Sequence, residues 1–262
     1  MKKLLIALTA AAAMSGPALA ADMARPYTKA PAPVAPAYNW TGFYIFGGGG
    51  GGIWDAKSNL VTVPGGVAGS RDQKFGGDGW FGTVGLGYDW QFTPNWVAGV
   101  FADGQFGEIK GSISDPFNAV EGQEKLRTSY AAGVRLGYLV APNVLSYVNG
   151  GYSGSQWSGA TLTSVFPPGV GVAGAVTTPS FHRNGWFVGG GVENNLDIFG
   201  INFPGLFMKT EYRTAFYDRT TLAETIVGGG PLGQAITFKP IVQTISTSLV
   251  YRFNWGGPAV RY

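Results

Sequence analysis

The chain has 262 residues, no cysteine and a formal net charge of +3. Without cysteine there is no disulfide framework and no thiol chemistry; with nearly balanced charge and no basic run interleaved with aromatics, nucleic acid is not an expected partner. Charged residues make up only 13%, against about 25% in ordinary soluble domains, while aromatics reach 14% and glycine 43 residues.

Lys2 and Lys3 precede an apolar run, Leu4 to Ala13, and Ala18-Leu19-Ala20 supplies a small-x-small cleavage pattern. This predicts a signal peptide over 1–20, with Ala21 as the neighbouring cleavage option. Its apolar run is too short to span a membrane as a helix. Cleavage would remove two cations and leave a net charge of about +1, so basicity says little about partners. Residues 21–38 read as a Pro/Ala-rich periplasmic linker, because Pro26, Pro31, Pro33 and Pro36 favour polyproline II and cannot join a strand ladder. From there, 39–262 reads as one domain. It holds no block of about 18 uninterrupted apolar residues, so helical spans are not expected.

Eight strand candidates follow. The first, Trp40–Trp54, contains six consecutive glycines, Gly47 to Gly52. The second is the clearest: Trp80, Val84, Leu86, Tyr88, Trp90 and Phe92 alternate with Thr83, Gly85, Gly87, Asp89 and Gln91. This period of two marks a strand with one apolar and one small or polar face. The third, Trp96–Gly107, places Asp103 and Gln105 on one face. The fourth sets Tyr130, Val134, Leu136 and Tyr138 against Ser129, Ala131, Gly133 and Arg135. The fifth, Val144–Gln156, is ambiguous in phase. The sixth sets Trp186, Val188 and Val192 against Gly189, Gly191 and Glu193. The seventh sets Leu206, Met208 and Tyr212 against Lys209, Glu211 and Arg213. The eighth sets Ile245, Leu249, Tyr251 and Phe253 against Ser246, Ser248 and Arg252.

Short links at Thr93-Pro94-Asn95 and Ala141-Pro142-Asn143, and a modest one near 199–205, alternate with long ones over about 55–78, 109–126, 157–184 and 219–239. Short periplasmic turns alternating with long outer loops are the rhythm of outer-membrane barrels. The expected fold is therefore all-β, an eight-stranded antiparallel transmembrane β-barrel of the outer-membrane type. The glycine-rich face carries whole charges and suits a narrow polar lumen. The aromatic face suits lipid, with girdles around Tyr88, Trp90, Phe92 and Trp96 at one rim and Tyr130, Trp186 and Phe216 at the other.

Pro-Ala-Tyr-Asn-Trp-Thr-Gly-Phe-Tyr-Ile over 36–45 resembles the opening of an alphaproteobacterial small-barrel family. That outer-membrane "porin family" includes surface antigens and hemin-binding proteins. The segments 185–193, 209–213 and 250–253, with the tail to Tyr262, resemble its later strands. The resemblance implies a location in the Gram-negative outer membrane and three roles: a surface-exposed envelope protein, a diffusion porin, or a hemin or other ligand binder at the loops.

Little in the chain points to chemistry. The Gly47–Gly52 run has no following Gly-Lys-Ser/Thr and reads as lumen-facing strand glycine rather than a phosphate loop. His182 is the sole histidine and falls in the third long loop. It has no evident partner for catalysis, so the chain reads as a non-enzyme without a cofactor or metal site; axial ligation of hemin by His182 is the one cofactor alternative. Asp103, Arg135, Glu193, Lys209, Glu211 and Arg213 are expected to form a lumenal ion-pair network, with all but Lys209 near one height, Lys209 somewhat closer to the periplasm, and Glu193 facing Lys209 or Arg213. Expected partners are outer-membrane lipid and lipopolysaccharide, the barrel-assembly machinery during insertion, and an extracellular ligand at the loops.

Overall fold

The computed structural model describes residues 38–115, 118–165, 175–201 and 203–253. The expected signal peptide, almost all of the linker and the tail beyond Phe253 lie outside those residues. Twelve strands occur among them: β1 (Gly42–Ser58), β2 (Leu60–Thr62), β3 (Gln73–Gln91), β4 (Trp96–Asp115), β5 (Val120–Ala141), β6 (Val144–Trp157), β7 (Thr161–Ser164), β8 (Val176–Thr177), β9 (Phe181–Asn195), β10 (Leu206–Tyr217), β11 (Thr220–Ile226) and β12 (Pro231–Phe253).

Eight of these strands close an antiparallel ring in the order β1–β3–β4–β5–β6–β9–β10–β12, and β12 returns to pair with β1 from Phe43↔Phe253 to Lys57↔Lys239. We call the end at Phe43 and Phe253 the base and the opposite end the top. The short strands prolong the ring at the top. β7 pairs with β5 and β8, β11 pairs with β8 and β12, and β2 pairs with β12. Closure satisfies the backbone groups that an open sheet edge would leave unpaired.

Alternation fixes which face points out. Trp80, Val84, Leu86, Tyr88 and Trp90 of β3 are exposed, whereas Thr83 and Asp89 are buried. Trp80 and Trp90 lie ten residues apart, about 33 Å along a strand. A strand tilt of about 40° reduces this to about 25 Å, the height of the apolar band of outer-membrane barrels. Aromatic side chains gather at both limits of the band, as the girdles were expected to do. Phe43, Trp90, Trp96 and Tyr251 mark the base rim; Trp80, Phe106, Tyr130 and Trp186 mark the top rim.

Among the described residues the long connections hold much strand, which corrects the sequence reading. β1 runs on to Ser58, β4 to Asp115 and β10 continues as β11, while β12 starts at Pro231. Above the top rim the alternation inverts. Ile109, Ile113, Leu126, Leu222 and Ile236 turn inward, and Lys110, Ser112 and Arg127 turn outward. This reversal is what strands show where they leave an apolar band and their outward faces meet water, since apolar groups then gain by turning to the interior. A search for apolar-out alternation overlooks such strands.

His182 lies in β9, not in a loop, and is the second correction. The glycine run is the third. The period of two set by buried Tyr44 and Phe46 below and by buried Gly52 and Trp54 above puts Gly48, Gly50 and Gly52 in the inward phase and Gly47, Gly49 and Gly51 in the outward phase between Ile45 and Ile53. A side chain at Gly48 would strike the carbonyl oxygen of Thr247, and one at Gly50 that of Ile245. The β1–β12 seam therefore closes only with glycine at those inward positions.

Candidate functional site

The lumen is the part of the molecule with unusual chemistry. At the base, Trp40 packs on Phe207 with ring centroids 5.0 Å apart, among buried Val97, Leu139, Leu145 and Val250. Directly above lies a cycle of four charges. Arg135 from β5 donates from Nε to Asp89 Oδ1 at 2.8 Å and from Nη1 to Glu193 Oε2 at 3.1 Å, and its Nη2 also meets Asp89. Arg252 from β12 donates from Nε to Glu193 Oε1 at 2.7 Å and reaches Asp89 Oδ2 from Nη1 at 2.8 Å. Each carboxylate thus bridges both guanidiniums.

A second group of four stands higher. Arg213 grips Asp103 through Nη1 at 2.9 Å and Nη2 at 2.6 Å, and donates to Glu211 Oε1 from Nη2 at 2.7 Å. Lys209 Nζ lies 3.8 Å from Glu211 Oε2, which also accepts from Tyr147 Oη at 2.8 Å. Tyr147 stands between the groups, with the Arg135 guanidinium 5.2 Å from its ring centre. Each group has two cations and two anions, so each is neutral as a unit. That neutrality suits a low-dielectric interior, where a lone charge is costly.

Aromatic faces cover the cations. Arg135 lies 4.4 Å from the Tyr44 ring centre, Arg252 4.5 Å from Trp40, Lys209 3.3 Å from Phe46 and Arg213 4.5 Å from Phe187. Inward glycines make room for these groups. A side chain at Gly87 would run into the Tyr44 phenol, one at Gly85 into the Phe46 ring, and one at Gly99 into the Asp89 carboxylate. Glycine on one strand and a large group on the next are two halves of one packing arrangement.

All six residues singled out in the sequence face the lumen and are buried. The structure divides them: Arg135 and Glu193 belong to the lower group, and Asp103, Lys209, Glu211 and Arg213 to the upper. The expectation of one height for five of them, with Lys209 nearer the periplasm, is thereby corrected: Lys209 belongs with the upper group. Glu193 is bound by Arg135 and Arg252, although its register partner on β10 is Lys209. Long side chains reach across the lumen, so backbone register does not decide the pairing. Asp89 and Arg252 complete the lower group and were missed. The alternation had placed both on the inward face; their partners lie on strands that are not sequence neighbours.

Above the charges the lumen is filled again. Trp54 packs edge-on against Trp157 at 5.6 Å and Phe238 at 5.5 Å, and its Nε1 donates to Ile109 O at 3.2 Å. The cavity beside Arg213, lined by Gln105, Ser129, Ser153 and Tyr217, measures about 10 Å³, room for a single water. Near the top, beyond the apolar band, two carboxyls are buried without a cation at hand. Burial pushes Glu124 up to about 8; burial, then the Asp115 carboxylate, push Glu224 up to about 8.

His182 sits on the outer wall. Its Nε2 lies 3.2 Å from Tyr130 Oη and 2.8 Å from Asn184 Oδ1, and its ring stacks on Tyr130. Among the described residues no three His, Cys, Asp or Glu side chains converge as a metal site.

No family model matches the chain, and no curated protein does. Among solved structures it is similar to the outer membrane protein OprG from Pseudomonas aeruginosa, with TM-score 0.50, 9% identity, and coverage of 84% of this chain and 100% of that one. It is also similar to the outer membrane protein AlkL in lipid bilayers (TM-score 0.43, 12% identity, coverage 86% and 97%). A third is the outer membrane protease OmpT from Escherichia coli (TM-score 0.39, 12% identity, coverage 81% and 97%). At such identities the likeness is one of fold, and it rests on OprG. The chain folds as an eight-stranded antiparallel β-barrel of the outer-membrane type.

Proposed function

We propose that this protein is a closed, structural barrel of the Gram-negative outer membrane that supports envelope integrity and presents its top to the outside. It is neither a solute channel nor an enzyme. The observation that carries this reading is the lumen: two neutral groups of four paired charges, held between aromatic layers, with water-sized space beside them. A diffusion porin needs a continuous aqueous path, which belongs to wider barrels of about sixteen strands. The base then lies in the periplasm. Outer-membrane lipid and lipopolysaccharide surround the apolar band, and the barrel-assembly machinery inserts it.

Hemin capture gains no support from His182, whose ring nitrogen is engaged by Tyr130 and Asn184 on the outer wall rather than open to a pocket. Planar-bilayer recording of the refolded protein tests the reading. A flat trace is expected. Regular steps of the size seen for open porins would overturn it and favour the transport role.

A further inference from the structure

Just above the top rim, β4 and β5 slip register between Phe106 and Ile109, and β5 and β6 between Leu126 and Thr128. Ser129 and Leu126 both point inward, so both intervening residues, Arg127 and Thr128, lie on the outer side. Strict alternation from Ser129 would have sent Arg127 into the lumen. The bulge re-aims it outward, which is a recurrent use of bulges. There it joins Lys110 and Lys125, which are register partners across the β4–β5 pair.

These three cations surround one carboxylate. Glu108 lies 2.7 Å from Lys110 Nζ, 3.9 Å from Lys125 Nζ and 3.9 Å from Arg127 Nη2. Lys110 and Arg127 are well exposed, Arg127 at 57%, and Lys125 is half-buried. Exposed ion pairs contribute little on their own. Asp78, the register partner of Lys110 on β3, stands on the same outer face, so three cations meet two carboxylates and the patch keeps a net charge of +1; a further anion would relieve the repulsion between its cations. Directly below it the wall is apolar. Trp80, the register partner of Glu108, is 80% exposed, and the Phe106 ring lies over Gly104 so closely that a side chain there would come within 3.0 Å of it.

We propose that Lys110, Lys125 and Arg127 dock the phosphate groups of an outer-leaflet glycolipid, whose acyl chains run down the wall over Trp80 and Phe106. This rests on the outer-membrane reading above. A guanidinium offers two parallel donors to phosphate and lysines add point charge. The position at the aromatic rim selects a lipid over a free anion, because the cations stand where headgroups meet the apolar band.

The test uses the full chain refolded in neutral detergent with EDTA, after a gel shows the compact, heat-modifiable band of a folded barrel. Absence of that band would sink the barrel reading itself, separately from this one. Binding is then titrated with bis-phosphorylated lipid A, dephosphorylated lipid A and inorganic pyrophosphate. Phosphorylated lipid A is expected to bind, with affinity falling as salt rises. The triple variant Lys110→Gln, Lys125→Gln, Arg127→Gln should keep the compact band and lose about tenfold or more in affinity. Glu108→Gln should bind several-fold tighter, which a merely structural Glu108 would not produce. The proposal fails if the triple variant binds like the parent, or if dephosphorylated lipid A binds equally well. It also fails if pyrophosphate alone competes fully, since the site would then take a free anion.

Discussion

Replacing Glu193 with Ala removes the carboxylate that both Arg135 and Arg252 share. Asp89 then faces two guanidiniums alone, and the lower group acquires a charge of +1 inside a lumen from which water is largely excluded. Glu193 is fully buried, and so are its two partners. Breaking one member of a buried ion pair costs about 3–5 kcal/mol. The faces of Tyr44 and Trp40 still cover the cations, which favours the lower half of that range. For a domain of this size each kcal/mol moves the melting temperature by roughly 2–4 °C, so a fall of roughly 6–16 °C is expected. Tryptophan fluorescence on heating the barrel in detergent micelles measures it. Removing charge in opposite pairs should recover much of the loss: Glu193→Gln with Arg252→Gln is expected to be less destabilised than Glu193→Ala, since a neutral pair leaves no unbalanced charge. A melt of Glu193→Ala within about 1 kcal/mol of the parent would refute the claim that the cycle supports the fold.

Other consequences are open to measurement. Trp54→Ala opens the upper aromatic layer and should cost about 3–5 kcal/mol in urea unfolding; a cost under 1 kcal/mol would mean that layer is loosely packed. Gly50→Val sets a branched side chain against the Ile245 carbonyl at the closing seam, so the yield of compact barrel on refolding should collapse, whereas Gly51→Val, at an outward position, should be tolerated; equal yields would contradict the assigned faces. Glu124 and Glu224 carry folded pKa values raised to about 8 from an ordinary 4.5, so their contribution is full below about pH 4.5 and lost as pH rises through 8. The melting temperature should therefore fall between pH 6 and pH 9, and Glu124→Gln should flatten that fall; an unchanged slope in the variant would count against a buried neutral carboxyl.

Much of this architecture was legible in the sequence, for a definite physical reason. Within the apolar band, lipid on one side and a narrow lumen on the other impose a strict period of two, and Trp80 to Phe92 displays it openly. The same rule assigned Asp89 and Arg252 to the inward face. It did not reveal their pairing, because contacts across a lumen join residues far apart in sequence, such as Arg135 and Glu193. Above the rim, segments such as Ile109 to Asp115 keep the period with reversed polarity, so a rule written for lipid reads them as loop. The start of β9 around His182, with polar His182 and Asn184 turned outward, reads as loop for the same reason. The outward turn of Arg127 depends on a bulge, and one extra residue in a strand leaves no compositional mark.

The central claim is that the aromatic face meets lipid and the charged face does not. The chain has no cysteine, so single labels can be placed without background. Val134 is 63% exposed and outward, while Ala131 and Arg135 of the same strand are buried in the lumen. Fluorophores on Ala132→Cys, Val134→Cys and Leu136→Cys, in vesicles containing bromine-tagged acyl chains, should be strongly quenched. Those on Ser129→Cys and Ala131→Cys should be quenched weakly. Quenching that alternates in this phase along β5 is the result expected; uniform quenching, or alternation in the opposite phase, would contradict the account.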